Sequence, residues 1–336
     1  MKTNKFKKFA YSILLDQESI NEYLIYIYKT FLKRKPDKTG FNSYLKFFEL
    51  SGTNGFKKVL ENVLEADEYK SRPFDLNLEK NKEFDFNKLD INFISSLFEK
   101  TAFFWRNYAS EPTNIYWSVI ATNECKKELN IDEKQSFLDS GKNEIDRIKR
   151  ICHFIDYDFD CCKNFLDFGC GVGRLVVNLP SSIKKVNCVD FSLSHLKEAE
   201  TNLKKSSKIK DYSFYFIESF FELKKLPDKQ DIIHSFIVLQ HNTPPVIEKT
   251  VEILLNLLSK GGIAILHIPI TIADYKFDPY EYLENIHSGK TMELHILPKS
   301  NIYKLAKNNN CKIIYSLCEG GVNGETYSEI IVFQKN

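Results

Sequence analysis

The stretch NFLDFGCGVGRLVVNLP, residues 164–180, contains the residue types of a nucleotide-type ligand site. An apolar run ends in Asp167, glycines follow at positions 169, 171 and 173, and an apolar run then resumes. This order predicts a strand, a tight turn and the start of a helix at Gly173. Because glycine has no Cβ, its backbone can approach a ligand closely. The ligand could be a pyrophosphate or a molecule without phosphate at this point, and the two cases imply different enzymes.

The glycine spacing argues against a dinucleotide. The dinucleotide pattern is G-x-G-x-x-G, and Arg174 stands where its third glycine would fall. Asp167 lies two residues before the first glycine, where a carboxylate would disfavour a pyrophosphate but would suit an ammonium group or a hydrogen-bond donor. No G-K-[ST] follows, so a Walker-type phosphate loop is excluded.

An acid followed by G-x-G-x-G is the pattern of class I S-adenosylmethionine-dependent methyltransferases, and the sequence resembles this family from about Phe103 to its end. It is most similar to a bacterial subgroup of predicted enzymes, some of them from polysaccharide loci. The shared stretches are Asp167–Arg174, Asp190 with Ser192, His195 and Leu196, Ser235–Pro245 (with LQHN) and Met292–Pro298 (MELHILP). The resemblance implies S-adenosyl-L-methionine as cofactor and S-adenosyl-L-homocysteine as product.

Four strand ends contain the residues that the resemblance implies for cofactor binding. Dinucleotide sites and S-adenosylmethionine sites both use an acid at the end of the second strand, because a carboxylate accepts hydrogen bonds from the ribose hydroxyls. Asp167 would bind the methionyl ammonium, and groups after the second and third strands would lie near adenine. The expected set is Asp167, Gly169, Cys170, Gly171, Gly173, Asp190, Phe191, Ser192, Glu218, Ser219, Val238 and Gln240.

The histidines decide which acceptor the site could use. Methyl transfer is an in-line displacement that needs alignment more than charge. A sugar hydroxyl is a weak acid and needs a base, whereas a phosphate or carboxylate oxygen needs only donors to hold it. His241, after the fourth strand, or His295 would be the base. Glu293 could orient either histidine or act itself, and Tyr275 is the fourth catalytic candidate. No metal is expected, since Cys and His are not clustered at ligand spacing.

Other candidates surround this set. Residues 269–298 form a long connection that we interpret as an acceptor lid, whose aromatic residues could stack on a sugar or pack the lid down. Tyr116 and Trp117 could line the cofactor, and Arg106, Arg147 and Arg174 could bind an anion. His267 could line the pocket, His234 is expected in the core, and His195 is expected to be exposed at a helix start.

The elements that must position these residues follow an alternating pattern from Lys163 onward. Short β-rich runs alternate with helical runs, which is typical of a parallel sheet with crossover helices. The last two runs, CKIIYSLC and YSEIIVFQK, are separated only by EGGVNGET, so they predict an antiparallel hairpin at the edge of the sheet. Together with the resemblance, this predicts an α/β fold with a Rossmann-like sheet of seven mostly parallel strands. A helix of apolar stripe Ile145, Ile148, Ile151 and Ile155 should precede it.

Three amphipathic segments in residues 18–71 predict a small helical unit. It resembles a bacterial module of undefined role, often found in proteins that act on cell-surface glycans. The residues that carry this resemblance are Tyr28, Leu32, Arg34, Pro36, Asp37, Gly40 and Tyr44, with VLEADEYKS after them. We therefore divide the chain into a helical accessory module (1–73), a charged linker (74–99) and a methyltransferase domain (100–336).

Bulk composition limits the remaining possibilities. The chain has 336 residues, a net charge of +2 and 43% hydrophobic residues, which predicts a globular protein with no bias towards nucleic acid. No apolar run is long enough to span a membrane, and the N-terminus lacks a cleavage site. The eight cysteines read as buried thiols of a reducing cytoplasm.

The sequence as a whole predicts S-adenosylmethionine-dependent O-methylation of a sugar or surface-polysaccharide precursor. One alternative is methylation of a phosphate-type oxygen or a small metabolite. Another is a non-catalytic binding protein that docks a protein partner through residues 18–71.

Overall fold

The computed structural model describes residues 24–25, 28, 37–51, 59, 62–63, 85–86, 88–111, 115–116, 118–119, 129–206, 208–272, 274–319 and 326–336. Its helices are α1 (Lys38–Ser51), α2 (Ile91–Ser110), α3 (Ile131–Asp139), α4 (Gly141–Phe154), α5 (Leu193–Ser206), α6 (Pro244–Asn256), α7 (Pro279–Glu284) and α8 (Lys299–Asn308). Its strands are β1 (Asn164–Phe168), β2 (Lys185–Asp190), β3 (Asp211–Phe216), β4 (Gln230–Ser235), β5 (Leu258–Ile272), β6 (Cys311–Glu319) and β7 (Thr326–Lys335).

The seven strands form one sheet in the order β3-β2-β1-β4-β5-β7-β6. Strands β1 to β5 are parallel to one another, and β7 pairs antiparallel with both β5 and β6. The order reverses between β2-β1 and β4, and ligands of open α/β sheets bind at such a point, beyond the carboxyl ends of the strands. The predicted Rossmann-like sheet with an antiparallel C-terminal hairpin is confirmed.

Helices cover both faces of the sheet because successive strand residues point to opposite sides. Ile263 and Ile265 of β5 belong to the apolar cluster beneath α4, with Ile145, Ile148 and Ile151. Ala264 and Leu266 belong to the opposite cluster, beneath α2, α6 and α8. The predicted apolar stripe of α4 therefore faces the sheet, and α4 and α2 bring their polar residues to the same edge from opposite faces.

The segment after the glycines differs from the expected helix. No α-helix begins at Gly173; a turn leads into a 3₁₀ helix, Val176–Asn178, and the chain then turns away at Pro180. The Asn178 side chain donates to the carbonyls of Leu138 and Arg174 at 2.7 and 2.9 Å, which ends the segment against α3. Pro180, which has no backbone N–H to donate, follows seven residues after Gly173 and limits the length of any helix there.

The lid also differs from the expected span. Strand β5 runs on to Ile272, so the proline expected to begin the lid, Pro269, lies inside the sheet. The lid is therefore residues 274–298 of the described chain, and it contains the short helix α7. Leu297 returns to the sheet by donating its backbone N–H to the Pro269 carbonyl at 2.9 Å.

Part of the proposed accessory module lies outside the described residues. Within it, Asp37 caps α1 by accepting from Gly40 N at 2.8 Å, and a Cβ at Gly40 would collide with the Tyr28 hydroxyl. The rings of Tyr28 and Tyr44 are 6.1 Å apart. Four spaced residues of the motif thus meet around one helix start, which gives their spacing a structural reason. The motif's Leu32, Arg34 and Pro36 are not among the described residues.

The domain boundaries remain a prediction, although α2 runs through the position proposed between linker and methyltransferase domain. Residues 91–99, placed in the linker, are helical, and Leu97 and Phe98 are fully buried. Asp90 caps this helix by accepting from the backbone N–H groups of Asn92 and Phe93. Across the described ranges, none of the helices is long and apolar enough to cross a bilayer.

Candidate functional site

The glycine turn after β1 forms a tight bend in the left-handed backbone region. Gly169, Gly171 and Gly173 have φ values of 79°, 54° and 85°, which residues with a side chain rarely adopt. The backbone N–H groups of Gly169 and Cys170 both donate to the Val189 carbonyl, at 2.8 and 3.0 Å. The turn is thereby folded onto the end of β2.

The glycines are also required by protein packing. A Cβ at Gly169 would collide with the Val238 side chain, and a Cβ at Gly171 would lie 2.8 Å from Val119. The sequence analysis gave close approach of a ligand as the reason for these glycines, and the structure adds a second cause. Val119 lies against the turn, in the same segment as Tyr116, which was expected to line the cofactor.

Asp190, at the end of β2, organises the next part of the edge. Its Oδ2 accepts from Gly171 N at 2.9 Å and its Oδ1 accepts from Ser192 N at 2.8 Å. His195 Nδ1 lies 3.2 Å from Oδ1, and its Nε2 lies 2.6 Å from the Ser118 hydroxyl. The expectation that His195 is exposed is wrong: it is buried, and its Nε2 contacts the Ser118 hydroxyl.

Asp167 belongs to a buried charge network that the sequence did not reveal. His234 of β4 lies between two carboxylates, with Nδ1 3.3 Å from Asp167 and Nε2 3.3 Å from Glu144 of α4. Burial alone would lower the pKa of His234, but hydrogen bonds to these two carboxylates raise it to about 9. An imidazolium therefore bridges β1 and α4 behind the glycine turn.

Glu144 is the residue that sequence reasoning missed. Burial alone would raise its pKa, but the hydrogen bond from His234 and the charges of His234 and Arg147 lower it. The signal was an acid inside the apolar stripe of α4, one residue before Ile145 and four before Ile148. A buried acid is rarely tolerated unless it is paired.

The residues expected around adenine differ in their exposure to solvent. Phe191 is buried, and its ring lies 4.8 Å from Phe98 of α2. The Glu218 side chain is exposed, and Ser219 stands before the 3₁₀ helix Phe220–Lys225. Arg106 Nη2 donates to the carbonyls of Ile217 and Glu218, at 3.1 and 2.6 Å. Arg106, an anion-binding candidate, thus joins α2 to the end of β3.

The chain bends sharply after β4. Ile237 has φ 59°, an unusual conformation for a β-branched residue, and its side chain is exposed. Such outliers persist where the surroundings impose them, and they concentrate at functional sites. Val238 then packs on Gly169, and the 3₁₀ helix Leu239–His241 follows.

His241 has a defined tautomer in this bend. Its Nδ1 lies 2.9 Å from the Glu293 carbonyl oxygen, which can only accept, so Nδ1 carries the proton. Burial lowers the pKa of His241 to about 4, so the ring is neutral at physiological pH and Nε2 has a lone pair. Gln240 Nε2 is 3.3 Å from that atom, and the Trp105 ring is 5.0 Å from the imidazole.

The three other catalytic candidates meet inside the lid. The Tyr275 hydroxyl is 2.7 Å from His295 Nδ1, and His295 Nε2 is 3.1 Å from the Glu293 carboxylate. Tyr282 donates to the same carboxylate at 2.6 Å, and Gly289 N donates at 2.8 Å. Burial alone would raise the pKa of Glu293, but these hydrogen bonds, with that of His295 the largest, lower it. Because Nδ1 of His295 is bonded to Tyr275 and Nε2 to Glu293, both of its ring nitrogens have hydrogen-bond partners.

His267 and Arg147 lie at the β5 end of the same edge. Ser328 donates its hydroxyl proton to the Glu319 carbonyl, so His267 Nε2 donates to Ser328 Oγ at 2.9 Å. His267 Nδ1 has no partner, and burial lowers the pKa of this histidine to about 4. Arg147 is held at 2.5 Å by Glu319 and at 3.4 Å by Glu144.

Tyr116 is linked to the glycine turn through Asn202, whose side-chain amide donates both to the Tyr116 hydroxyl and to the Val172 carbonyl. Its hydroxyl donates to Glu198 at 2.8 Å and accepts from Asn202 at 3.2 Å, both on α5. Burial raises its pKa to about 12. Trp117, the second residue of that pair, lies outside the described residues.

The donor set around the turn fits a ligand that carries an ammonium group, a ribose and an apolar base. Two carboxylates, Asp167 and Asp190, flank a bend of positive-φ glycines, and apolar Val238 adjoins it. Among the described residues here, Arg106 is already bonded to backbone carbonyls. This chemistry suits S-adenosylmethionine better than a pyrophosphate.

Comparison with known proteins agrees with this geometry. Residues 165–262, which run from β1 into β5, match the family model described as a methyltransferase domain. No curated protein matches the sequence.

Solved structures with partial similarity include methyltransferases. Magnesium protoporphyrin IX methyltransferase from Synechocystis PCC 6803, with bound S-adenosylhomocysteine, is 18% identical with a TM-score of 0.47, covering 69% of this chain and 98% of that one. An S-adenosylmethionine-dependent methyltransferase from Clostridium acetobutylicum is 18% identical with a TM-score of 0.42, covering 57% and 90%. The family match over residues 165–262 and the geometry of the turn support a methyltransferase that uses S-adenosylmethionine.

Proposed function

We propose that the protein transfers a methyl group from S-adenosylmethionine to a hydroxyl oxygen of a sugar or surface-polysaccharide precursor, with His241 as general base. The observation that carries the proposal is the lone pair on His241 Nε2: the bond from Nδ1 to the Glu293 carbonyl makes Nε2 the proton acceptor of the ring, and the Gln240 amide contacts it at 3.3 Å. This neutral imidazole stands at the end of β4, beside the bend that packs on the glycine turn.

The cofactor would lie across the carboxyl ends of β1, β2 and β4. The glycine turn would take its aminoacyl part and Asp190 its ribose hydroxyls through lone pairs not used by backbone donors. The residues proposed to hold it are Asp167, Gly169, Cys170, Gly171, Gly173, Asp190, Phe191, Ser192, Glu218, Ser219, Val238 and Gln240.

S-adenosylmethionine supplies a methyl group bonded to a positively charged sulfur. The hydroxyl oxygen of the acceptor forms the new bond to carbon as the carbon–sulfur bond breaks, and His241 Nε2 takes the hydroxyl proton. The products are the methyl ether, S-adenosylhomocysteine and a protonated His241, which returns the proton to water. A pKa of about 4 makes His241 a weak base, but an oxygen that has gained a methyl group is strongly acidic, so a late proton transfer suffices.

His241 is a better base than His295. The ring nitrogens of His295 are bonded to Tyr275 and Glu293, so neither is free to accept from a substrate. At His241 only one ring nitrogen, Nδ1, is held by a charged or carbonyl oxygen, and Nε2 has a single contact at 3.3 Å, from the neutral Gln240 amide that a substrate hydroxyl would replace. We therefore propose Glu293, His295 and Tyr275 as supporting residues of the site.

The surroundings of His241 favour a neutral, hydroxyl-bearing acceptor. Trp105 lies beside the imidazole and offers an aromatic face of the kind that packs on sugar C–H groups. An acceptor with a phosphate-type oxygen, the first alternative, would need a free cation. Of the three candidate arginines, Arg147 and Arg106 are already bonded to carboxylates and carbonyls, and Arg174 donates to the Ser140 hydroxyl at 3.5 Å.

The N-terminal residues 1–73 are proposed as an accessory module that could dock a protein partner through residues 18–71. We propose a cytoplasmic enzyme without a nucleic-acid partner. A non-catalytic binding protein remains the second alternative; it would bind S-adenosylhomocysteine yet transfer no methyl group.

The test is methyl transfer from radiolabelled S-adenosylmethionine to UDP-glucose, UDP-N-acetylglucosamine and GDP-mannose, with glycerol 3-phosphate and acetate as anionic acceptors. We expect transfer to a sugar hydroxyl and a loss of roughly 10²- to 10⁴-fold in kcat for His241→Gln. His153→Gln, an exposed histidine on α4, is the matched control. Transfer to the anionic acceptors alone would refute the sugar assignment, and full activity of His241→Gln would refute the base.

A further inference from the structure

The tautomer of His241 depends on one backbone carbonyl that belongs to the lid. The Glu293 carbonyl oxygen lies 2.9 Å from His241 Nδ1. The tautomer of a neutral histidine is set by the hydrogen bond that its other nitrogen makes. Without this acceptor the proton is free to move to Nε2, and a ring protonated there cannot accept a proton from a substrate.

Hydrogen bonds to the lid backbone hold the region of the Glu293 carbonyl in position. His295 N donates to the Gln240 carbonyl at 2.7 Å, which ties the lid to the 3₁₀ helix that contains His241. Lys100 Nζ of α2 donates to the carbonyls of Tyr282 and Asn285 at 3.0 and 2.8 Å. The lid is thus joined to the 3₁₀ helix that contains His241 and to α2, which contains Trp105.

A network of side chains also holds Glu293 through its carboxylate. The Glu293 carboxylate accepts from the Tyr282 hydroxyl, His295 Nε2 and Gly289 N, at 2.6, 3.1 and 2.8 Å. The Tyr275 hydroxyl completes the chain at His295 Nδ1. Within the 25 residues of the lid, two side chains and one backbone amide therefore hold Glu293 directly, and a third side chain, Tyr275, acts through His295.

We propose that Glu293, His295, Tyr275 and Tyr282 are positioning residues that hold the Glu293 carbonyl on His241 Nδ1 and thereby keep Nε2 as the proton acceptor. The inference rests on the proposed function, in which His241 is the base. Through the Glu293 carbonyl, the lid sets the base in its reactive form. Outer partners of functional histidines of this kind are worth roughly 10- to 100-fold in activity at metal sites.

The network also explains why its members are poor catalysts themselves. The Glu293 carboxylate is ionised and satisfied by three donors, and the phenol pKa of both tyrosines is raised by burial. A phenol with a raised pKa is a hydrogen-bond donor and a weak acid, which suits a structural bond to a carboxylate.

The test reads the tautomer directly by ¹⁵N NMR of histidine-labelled full-length protein in the presence of S-adenosylhomocysteine. The His241 signals are assigned by their loss in His241→Gln. We expect the wild type to show a protonated Nδ1 and an unprotonated Nε2. Glu293→Ala should shift the ring towards a mixture of tautomers, and Tyr282→Phe, which conserves volume, should do so to a smaller extent. Glu284→Ala, an exposed glutamate of α7, is the matched control and should leave the spectrum unchanged.

Activity gives an independent readout once an acceptor is in hand. Glu293→Ala should lower kcat by roughly 10- to 100-fold with an unchanged KM for S-adenosylmethionine, and Glu293→Gln should recover part of the loss. An unshifted His241 tautomer in both Glu293→Ala and Tyr282→Phe would overturn the inference. An active His241→Gln would instead refute the proposed base, and the NMR result would still decide what the lid does to the ring.

Discussion

The buried His234 imidazolium should make the free energy of unfolding depend on pH, and the substitution His234→Gln should remove this dependence. His234 lies 3.3 Å from Asp167 and 3.3 Å from Glu144, and all three side chains are buried. Replacing His234 by Gln removes the positive charge but keeps a polar side chain. The two carboxylates are then left without their shared cation inside the protein.

The size of the effect follows from the pKa. The ordinary histidine pKa is about 6.5, and in the folded protein that of His234 is raised to about 9. At about 1.36 kcal/mol per unit, the protonated form contributes roughly 3 kcal/mol to the free energy of unfolding. Because the folded pKa is the higher one, this contribution is complete below about pH 6.5 and is lost as the pH rises through 9.

Urea unfolding at pH 6.5, 8 and 9.5 measures this contribution. At pH 6.5 we expect His234→Gln to be less stable by about 3–5 kcal/mol, the usual cost of breaking a buried pair. Between pH 6.5 and 9.5 the wild type should lose about 3 kcal/mol more than the variant. Lysines, tyrosines and cysteines titrate in both proteins, so their effects cancel in this difference. His153→Gln, on the exposed face of α4, should follow the wild type.

The reasoning would be refuted if wild type and His234→Gln lost the same stability over this pH range. A His234 pKa near 6.5, measured by ¹⁵N NMR on the folded protein, would refute it independently. Either result would mean that His234 is neutral at physiological pH and that Asp167 and Glu144 are not held by an imidazolium.

Three further predictions test other parts of the structure. Lys299→Met leaves the buried Glu329 carboxylate without its cation at 2.6 Å, so urea unfolding should show a loss of about 3–5 kcal/mol. Gly171→Ala forces an alanine to φ 54° and against the segment above the turn, so thermal unfolding should show a loss of at least about 1–2 kcal/mol and a smaller stabilisation by S-adenosylhomocysteine. The acid limb of the pH profile of kcat/KM should lie near pH 4, because burial lowers the pKa of His241 and the base form persists as the pH falls to that value.

Each of these predictions has a clear contrary outcome. Lys307→Met, an exposed lysine of the same helix, is the control for Lys299→Met, and equal stability of the two variants would contradict the buried pair. Undiminished binding of S-adenosylhomocysteine by Gly171→Ala would remove this glycine from the cofactor site. An acid limb near pH 6.5 would mean that His241 is solvated or is not the base.

Local patterns predicted the elements well because each depends on neighbouring residues. Strands β1 and β2 follow from apolar runs that end in Asp167 and Asp190, and the hairpin of β6 and β7 follows from a loop too short for a helix. The glycine bend was predicted from the close approach of a ligand, and the structure adds positive φ values at all three glycines as a further reason. The helix predicted to begin at Gly173 is absent. The segment between Gly173 and Pro180 is too short for a periodic pattern to distinguish an α-helix from the 3₁₀ helix that the structure contains.

The sequence by itself determined the seven-stranded α/β fold, the glycine turn and the residue types at the strand ends, since these are set by periodicity and by short-range backbone geometry. Only the tertiary structure decided which polar groups are partners. Glu144 and Asp167 share His234 across two elements, and the Glu293 carbonyl reaches His241 from 52 positions along the chain. Hydrogen bonds of this length require atoms to be placed within a few tenths of an ångström, and that placement comes from the packing of the lid, α2 and α4 on the sheet.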